Sequence, residues 1–372
     1  MVLKKNLTRK QILSKTIKPI DLEVTKSVHD LMEAFQNSSF QSRNLFICAD
    51  IYRRMLTDPV RPTIMLGMSG ALIAGGLRKI LTDLIKYGFV DLIVTTGAIV
   101  YQDLYQALGN EHYQGTPQAN DEQLWKFQID RIYDTYVDER KFRTTDIHIS
   151  KLVNKLEPRG YSTREFLAFL GSQISDQNSI LYNASKFEVP IFCPAIADSS
   201  IGIGLTVYFK NYHDLIPTNT NTTGGVAPKH FYLDTIQDNF EIAQIVAKSN
   251  KTAAIYLGGG VPKNYINDSV VMADMLFQKS GGHKYAFQLT MDRPEWGGLS
   301  GSTLGEAQSW GKINVHATKA TANVELTVGL PLIVGYLMHK DIWKNRNRLS
   351  FKWESNGKLK DLKSGDKVWN VD

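Results

Sequence analysis

Short apolar segments alternate along this chain with helical patterns, and this alternation constrains the fold more than any other feature. Apolar segments of a strand's length that lack a polar face are typical of parallel strands covered on both sides. The sequence therefore predicts an α/β fold in which helices lie on both faces of a parallel sheet. The predicted strands are residues 63–66, 90–94, 189–196, 253–257 and 285–289.

Helices are predicted between these strands from hydrophobic spacing and from capping residues. Ser162 and Glu165 form a capping box, in which each side chain accepts a hydrogen bond from the other residue's backbone N–H. A helix is therefore expected from this point to about Gln173. The other predicted helices are residues 72–87, 103–108 and 266–277.

The ends of the chain and one internal segment depart from the alternation. Apolar residues at helical spacing over 28–46 predict helix near the N terminus, ending before Pro59. Residues 110–155 are rich in Gln, Asp and Tyr and are interpreted as an insertion, and the Asn-Gly pair at 356–357 predicts a hairpin over 352–362. We predict an N-terminal helical arm (residues 1–60), a catalytic α/β domain (residues 61–340) and a basic C-terminal extension (residues 341–372).

The formal charge of +6 is concentrated near the C-terminal end of the chain. From residue 340 onward there are nine lysines and arginines against five acidic residues, a balance of +4. The rest of the chain is nearly neutral. No nucleic-acid partner is expected, because phosphate binding needs a basic surface. We expect the lysine-rich end to be solvated.

Cysteine usage and hydropathy favour a cytoplasmic protein. Cys48 and Cys193 lie in apolar surroundings without disulfide or metal-site spacing, which predicts buried free thiols in a reducing compartment. The first residues lack the apolar run of a secretory signal. The longest apolar stretch, residues 326–338, is too short to cross a bilayer, so no membrane partner is expected. No metal is expected either, because the histidines lack ligand spacing.

The turns after the predicted strands contain small residues that would let a flat, phosphate-bearing cofactor approach the backbone. Ligands of parallel sheets bind beyond the carboxyl ends of the strands, where such turns collect. No complete G-x-G-x-x-G motif is present, so turns that serve only loop geometry remain the alternative. After residues 189–196, Asp198 could accept hydrogen bonds from a ribose or cap the next helix, and the sequence leaves both possibilities open.

The segment from Gly297 to Ile313 is unusual in composition. In it, Lys312 follows Trp310 and Gly311. An amine beside an indole and small residues can lose its water and act as a nucleophile toward imines. Glu306 lies six residues earlier and could hold a cationic amine. A lysine that simply extends along the surface beside the tryptophan is the alternative.

Two segments carry a resemblance to a known family: LGGGVPKN at 257–264 and SGSTLGEAQSWGKI at 300–313. Together with the strand and turn succession from about residue 62 to 332, they resemble the deoxyhypusine synthase family. The resemblance implies a Rossmann-like NAD-binding fold and a homotetramer whose subunits share active sites. It implies that Lys312 forms a covalent imine, that Trp310 packs on a polyamine, and that Glu306 and Asn264 lie at substrate-binding positions. The implied NAD-binding residues are Thr96, Gly97, Asp198, Gly258, Gly259 and Gly260.

The chemistry implied by this resemblance is the transfer of an aminobutyl group. NAD takes a hydride from the carbon beside an amine of spermidine or putrescine, Lys312 captures the resulting imine, and an acceptor amine displaces it. The hydride then returns, so the net redox change is zero.

Several positions depart from the family's eukaryotic pattern. Asn264 stands where a His is expected, and apolar side chains replace two polyamine-binding Asp residues. Losing carboxylates should weaken the binding of a dication. The changes resemble a bacterial branch called deoxyhypusine synthase-like, for which a small acceptor such as putrescine or agmatine is expected, giving homospermidine or a guanidino relative. The alternatives are a lysine of a translation factor as acceptor, or a catalytically silent subunit. The other departures are Ile203, Leu299, Gln102, Tyr101 and Ala71.

Overall fold

The computed structural model describes residues 8–214, 230–279 and 281–368. The first seven residues of the predicted arm and the last four of the predicted extension lie outside these ranges. The strands are β1 (Thr63–Met68), β2 (Leu92–Thr95), β3 (Tyr113–Gln114), β4 (Ile129–Ile132), β5 (Thr135–Asp138), β6 (Gly160–Tyr161), β7 (Ile191–Phe192), β8 (Tyr232–Leu233), β9 (Thr252–Leu257), β10 (His283–Leu289), β11 (Ile313–Ala322), β12 (Asn347–Trp353) and β13 (Leu359–Lys367). The helices are α1 (Arg9–Ile12), α2 (Val28–Phe35), α3 (Phe40–Thr57), α4 (Arg78–Lys86), α5 (Gly97–Ala107), α6 (Asp121–Lys126), α7 (Glu139–Val153), α8 (Thr163–Ser172), α9 (Ile180–Lys186), α10 (Ser200–Asp214), α11 (Thr235–Lys248), α12 (Gly260–Phe277), α13 (Glu306–Ser309) and α14 (Leu326–Met338).

A six-stranded parallel sheet forms the centre of the molecule, in the order β11-β10-β9-β1-β2-β7. All residues of β1 and β9 are buried, as expected for strands covered on both faces. Leu66 pairs with Ile93 on one side and Ile255 on the other, which sets the register at the middle of the sheet. The predicted α/β class is confirmed.

Several predicted elements have different boundaries in the structure. The capping box at Ser162 is present and starts α8. The helix expected over 72–87 begins only at Arg78, after a loop that contains three glycines. The strand expected over 189–196 is reduced to β7, because Pro190 and Pro194 on either side lack the N–H that sheet pairing requires. By contrast, α5 and α12 begin directly at the turns that follow β2 and β9.

Two parts of the architecture were not predicted from the sequence. β11 is an edge strand of ten residues whose side chains are mostly half-buried or exposed, so its sequence lacks the apolar signature of the central strands. The segment interpreted as an insertion folds into a three-stranded antiparallel sheet, in the order β3-β5-β4, together with α6 and α7.

The C-terminal segment packs onto the body of the protein. The predicted hairpin is present as β12 and β13. The expectation of a solvated basic end is wrong for Arg346, which is buried and pairs with Asp91 (Nη2 to Oδ2, 2.6 Å). Arg61 pairs with the same carboxylate (Nη1 to Oδ2, 2.6 Å), and the backbone N–H of Ile64 also donates to it. The end of the chain is therefore tied to the start of β1 by a buried charge cluster.

The cysteine prediction is confirmed, since Cys48 and Cys193 are buried free thiols. Burial raises the pKa of both thiols well above the ordinary value. Within the described ranges, no helix is both long and apolar enough to cross a bilayer. No group of three or more His, Cys, Asp or Glu side chains in the same ranges is placed to hold a metal ion.

Candidate active site

Three helices begin at the edge of the sheet where the parallel strands end. α5 follows β2, α10 follows β7 and α12 follows β9. The first N–H groups of a helix have no partner within the helix, and the helix dipole places partial positive charge there. This edge can therefore receive an anionic group such as a dinucleotide pyrophosphate.

The triple glycine at the start of α12 is packed against two other loops. Gly258 has a left-handed backbone (φ +74°), and a Cβ on Gly259 would lie 2.4 Å from the Cα of Ser300. The backbone N–H of Gly259 donates to Ser69 Oγ (3.0 Å), and that of Gly260 donates to Ser300 Oγ (3.0 Å). Packing by itself therefore requires a glycine at position 259, and the left-handed backbone favours one at position 258. The role of these residues toward a cofactor stays a prediction.

Gly259→Ala tests this packing. We expect it to destabilise the protein by about 1–3 kcal/mol, because the new methyl group would displace the backbone at Ser300. Thermal unfolding would measure the change. Gly305→Ala is the matched control, since Gly305 already has helical dihedral angles and the nearest atom to an added Cβ is at 3.6 Å. An equal loss in both variants would contradict the packing argument.

A buried lysine, which the sequence analysis did not single out, holds the neighbouring loop. Lys263 Nζ donates to Gln288 Oε1 (3.0 Å) and to the backbone carbonyl of Ser302. Gln288 Nε2 in turn donates to the carbonyls of Gly258 (2.8 Å) and Ser300 (2.7 Å). Burial lowers the pKa of Lys263 to about 8, against the opposing effect of the nearby carboxylates. The two side chains fix the 299–302 loop against the triple glycine.

Lys312 lies beside the middle of α12, away from the carboxyl ends of the strands. Its Nζ is 2.8 Å from Asp268 Oδ1 and 5.4 Å from the centre of the Trp310 ring. The Lys312 side chain is 15% exposed. Asn264 Nδ2 donates to the other oxygen of Asp268 (2.8 Å). From Gly260 to Asp268 the helix rises about 12 Å, so one helix joins the triple glycine to the lysine.

The remaining predicted site residues lie at the starts of two other helices and in the segment before β11. Thr96 precedes α5 and is half-buried. Asp198 is exposed and lies in the loop between β7 and α10. Glu306, the first residue of α13, is exposed, and Trp310 is 67% exposed. The structure thus brings Asn264 and Lys312 together through Asp268 and leaves Glu306 and Trp310 at the surface.

The packing of Gly97 and the departures from the family pattern also have structural explanations. A Cβ on Gly97 would lie 2.2 Å from Ser199 Oγ, so close packing requires a glycine there too. Gln102 is buried, and its Oε1 accepts a hydrogen bond from the backbone N–H of Ala74 (3.2 Å). Ile203 and Leu299 are exposed apolar side chains. Gln102 therefore supports the fold, while Ile203 and Leu299 remain available to a ligand or a partner.

The chain is similar to one known family and to several of its members. The family model described as deoxyhypusine synthase matches residues 30–337. A probable deoxyhypusine synthase 2 of Methanosarcina acetivorans is 39% identical over 340 residues, covering 90% of this chain and 93% of that protein. Deoxyhypusine synthase-like proteins of Coxiella burnetii and Elusimicrobium minutum are also 39% identical, over 91% and 96% of this chain and 93% and 94% of theirs.

The fold has a counterpart among solved structures. The crystal structure of a putative deoxyhypusine synthase from Entamoeba histolytica superimposes with a TM-score of 0.57 at 18% identity, covering 86% of this chain and 96% of that chain. The parallel sheet with helices on both faces is thus a Rossmann-like α/β fold. The chain belongs to the deoxyhypusine synthase family, and the relatives from Coxiella burnetii and Elusimicrobium minutum carry the name deoxyhypusine synthase-like.

Proposed function

We propose that this protein is an NAD-dependent aminobutyl transferase of polyamine metabolism. It transfers the group through an imine of Lys312 to a small amine and yields homospermidine or a related product. One observation carries the proposal: a largely buried lysine amine lies beside the helix that starts at the triple glycine, with an acidic partner and an indole next to it. An amine in such a place can exchange with an oxidised amine.

The residues at the sheet edge fit a dinucleotide. Three helix N-termini converge there, and the space where a Cβ of Gly260 would lie has no atom within 4 Å. In this proposal Gly258, Gly259 and Gly260 lie along NAD with Thr96 and Gly97, and Asp198 accepts hydrogen bonds from a ribose. NAD, when bound, supplies a hydride acceptor for the carbon beside the donor amine and returns the hydride at the end.

The protein side chains then bind and hold the polyamine. Trp310 offers an exposed ring face to a cationic methylene chain, an interaction that favours ammonium groups. Glu306 and Asn264 provide oxygen atoms for an ammonium group. Ile203 and Leu299 present apolar surface in place of carboxylates, which favours a short diamine over a longer, more highly charged acceptor.

The proposed assembly is a homotetramer with shared active sites in the cytoplasm, without nucleic-acid or membrane partners. Exposed aromatic and apolar side chains next to the site support an assembly, because such patches mark interfaces. Trp296 and Trp310 are both 67% exposed, and Met291 and Val315 are exposed nearby. Light scattering of the purified protein would measure the mass of the assembly.

A second acceptor is favoured by one observation. The relative from Methanosarcina acetivorans bears the name probable deoxyhypusine synthase 2. This name favours a lysine of a translation factor as the acceptor, with the same imine chemistry at Lys312.

The test is an incubation with NAD, putrescine and spermidine, analysed by mass spectrometry with and without borohydride. We expect homospermidine in the untreated sample and a borohydride-fixed aminobutyl group on the peptide that contains Lys312. Parallel reactions with agmatine and with a hypusine-type translation factor identify the acceptor. If neither product nor labelled peptide forms with any of these amines, the proposal is wrong.

A further inference from the structure

The geometry points to Asp268 as the residue that positions Lys312 and pairs with its positive charge before and after the transfer. This inference deepens the proposed function and rests on it for the chemistry of the transfer. The ion pair itself is a feature of the structure and can be tested without any polyamine.

Asp268 is held so that one oxygen faces the lysine. Oδ1 is 2.8 Å from Lys312 Nζ, and Oδ2 accepts a hydrogen bond of 2.8 Å from Asn264 Nδ2 one helical turn earlier. Both residues belong to α12, whose backbone fixes their spacing. The Asp268 side chain is 43% exposed, whereas the Lys312 side chain is 15% exposed. The lysine side chain is therefore more shielded from solvent than the carboxylate that pairs with it.

Asp268 faces the same charge before and after the transfer. The Lys312 ammonium first passes one proton to Asp268, because only the neutral amine has the lone pair that attacks the donor iminium ion. The new bond joins Nζ to the oxidised carbon, and the bond from that carbon to the donor nitrogen breaks. The departing amine takes up the second proton from Nζ and the one held by Asp268, and it leaves as an ammonium ion. One positive charge is present on Nζ before and after this step, so the Asp268 carboxylate is paired with it in both states. An iminium ion is also the more electrophilic form toward the acceptor amine.

The helical placement of Asp268 adds orientation to this charge pairing. A lysine side chain has several rotatable bonds and a compact charge, so it needs a fixed partner to hold one position. Trp310 is largely exposed, and the centre of its ring lies 5.4 Å from Lys312 Nζ, so the ring alone does not hold the amine in place. The carboxylate, fixed by Asn264, therefore sets where Nζ points.

Asp268→Asn keeps the shape of the side chain and removes its charge. It tests this role through two reaction rates at Lys312, which we expect to change in opposite directions. Reductive methylation with formaldehyde and cyanoborohydride needs no polyamine and no NAD. We expect it to proceed about two- to fivefold faster at Lys312, since an unpaired amine reacts more readily. Borohydride-fixed capture of putrescine in the presence of NAD should instead fall by about tenfold or more, because the amine is no longer aligned.

Asp274→Asn is the matched control, because Asp274 lies on the exposed side of the same helix. It should leave both rates unchanged. Asp268→Glu keeps the charge and should return methylation to near the wild-type rate, with capture partly restored. Thermal unfolding of each variant checks that the fold is intact.

Unchanged methylation of Lys312 in Asp268→Asn would overturn the inference, as would capture at the wild-type rate. A failure of the proposed function looks different, because the wild-type protein itself would then capture no polyamine. In that case, faster methylation in Asp268→Asn still supports the positioning of Lys312, and an unchanged rate rejects it.

Discussion

We expect Lys312→Ala to abolish the borohydride-fixed label and to lower product formation on the order of a thousandfold or more. The reason is that, among the residues that the structure describes, Lys312 is the lysine whose Nζ pairs with Asp268 and lies near the Trp310 ring. The measurement is peptide mapping after borohydride treatment, together with quantification of homospermidine.

Two control variants separate lost chemistry from lost structure. Lys312→Arg keeps the positive charge beside Asp268 but cannot form the imine, so it should fold normally and remain unlabelled. Lys352→Ala removes an exposed lysine of β12 and should be labelled like the wild-type protein. A label at another lysine in Lys312→Ala would show that the nucleophile is elsewhere.

Asp91→Asn should cause the largest loss of stability, about 3–5 kcal/mol of unfolding free energy. The Asp91 side chain is 3% exposed and pairs with both Arg61 and Arg346, so its removal would leave two guanidinium groups without their shared carboxylate. Urea unfolding followed by circular dichroism would measure the change as a shift of the midpoint. Asp341→Asn is the control, because this carboxylate is 59% exposed and its pair with Lys344 should contribute less than about 1 kcal/mol.

The Asp91 carboxylate should also make the unfolding free energy depend on pH. Burial alone would raise the pKa of Asp91, but the charges of Arg346 and Arg61 outweigh it and hold the pKa below its ordinary value. An acid whose pKa is lowered by folding stabilises the folded protein above its unfolded-state pKa, and this contribution is lost as the pH falls through the folded-state value. The difference in unfolding free energy between wild type and Asp91→Asn should therefore be full at neutral pH and shrink below about pH 4. A difference that stays constant into acid would contradict this.

The central strands of the fold could be predicted because burial on both faces leaves a sequence signature. β1, β2 and β9 are apolar runs, and the following glycine turns mark their ends, whereas only the apolar second part of β10 was predicted. β11 could not be found in this way, since an edge strand keeps one side exposed and alternates polar with apolar residues. The composition of residues 189–196 suggested a long strand, but the prolines on either side of β7 limit it to two residues.

The site was predictable in its residue types and less so in its contacts. Lys312 and Asn264 were identified through motifs, and the structure places both against Asp268, which no motif contained. The spacing of four between Asn264 and Asp268 on a predicted helix was a usable signal. Nothing in the sequence indicated that this face of the helix would meet a lysine 44 residues later, because that contact depends on where β11 begins.

The cluster at Asp91 also concerns how the chain folds during synthesis. Asp91 and Arg346 are 255 residues apart, so a ribosome-bound chain that ends before residue 346 holds β1 and β2 without their second guanidinium group. In that nascent chain, water must still hydrate the part of the Asp91 carboxylate that later pairs with Arg346. We expect the final compaction of the molecule to wait until this arginine has emerged from the exit tunnel.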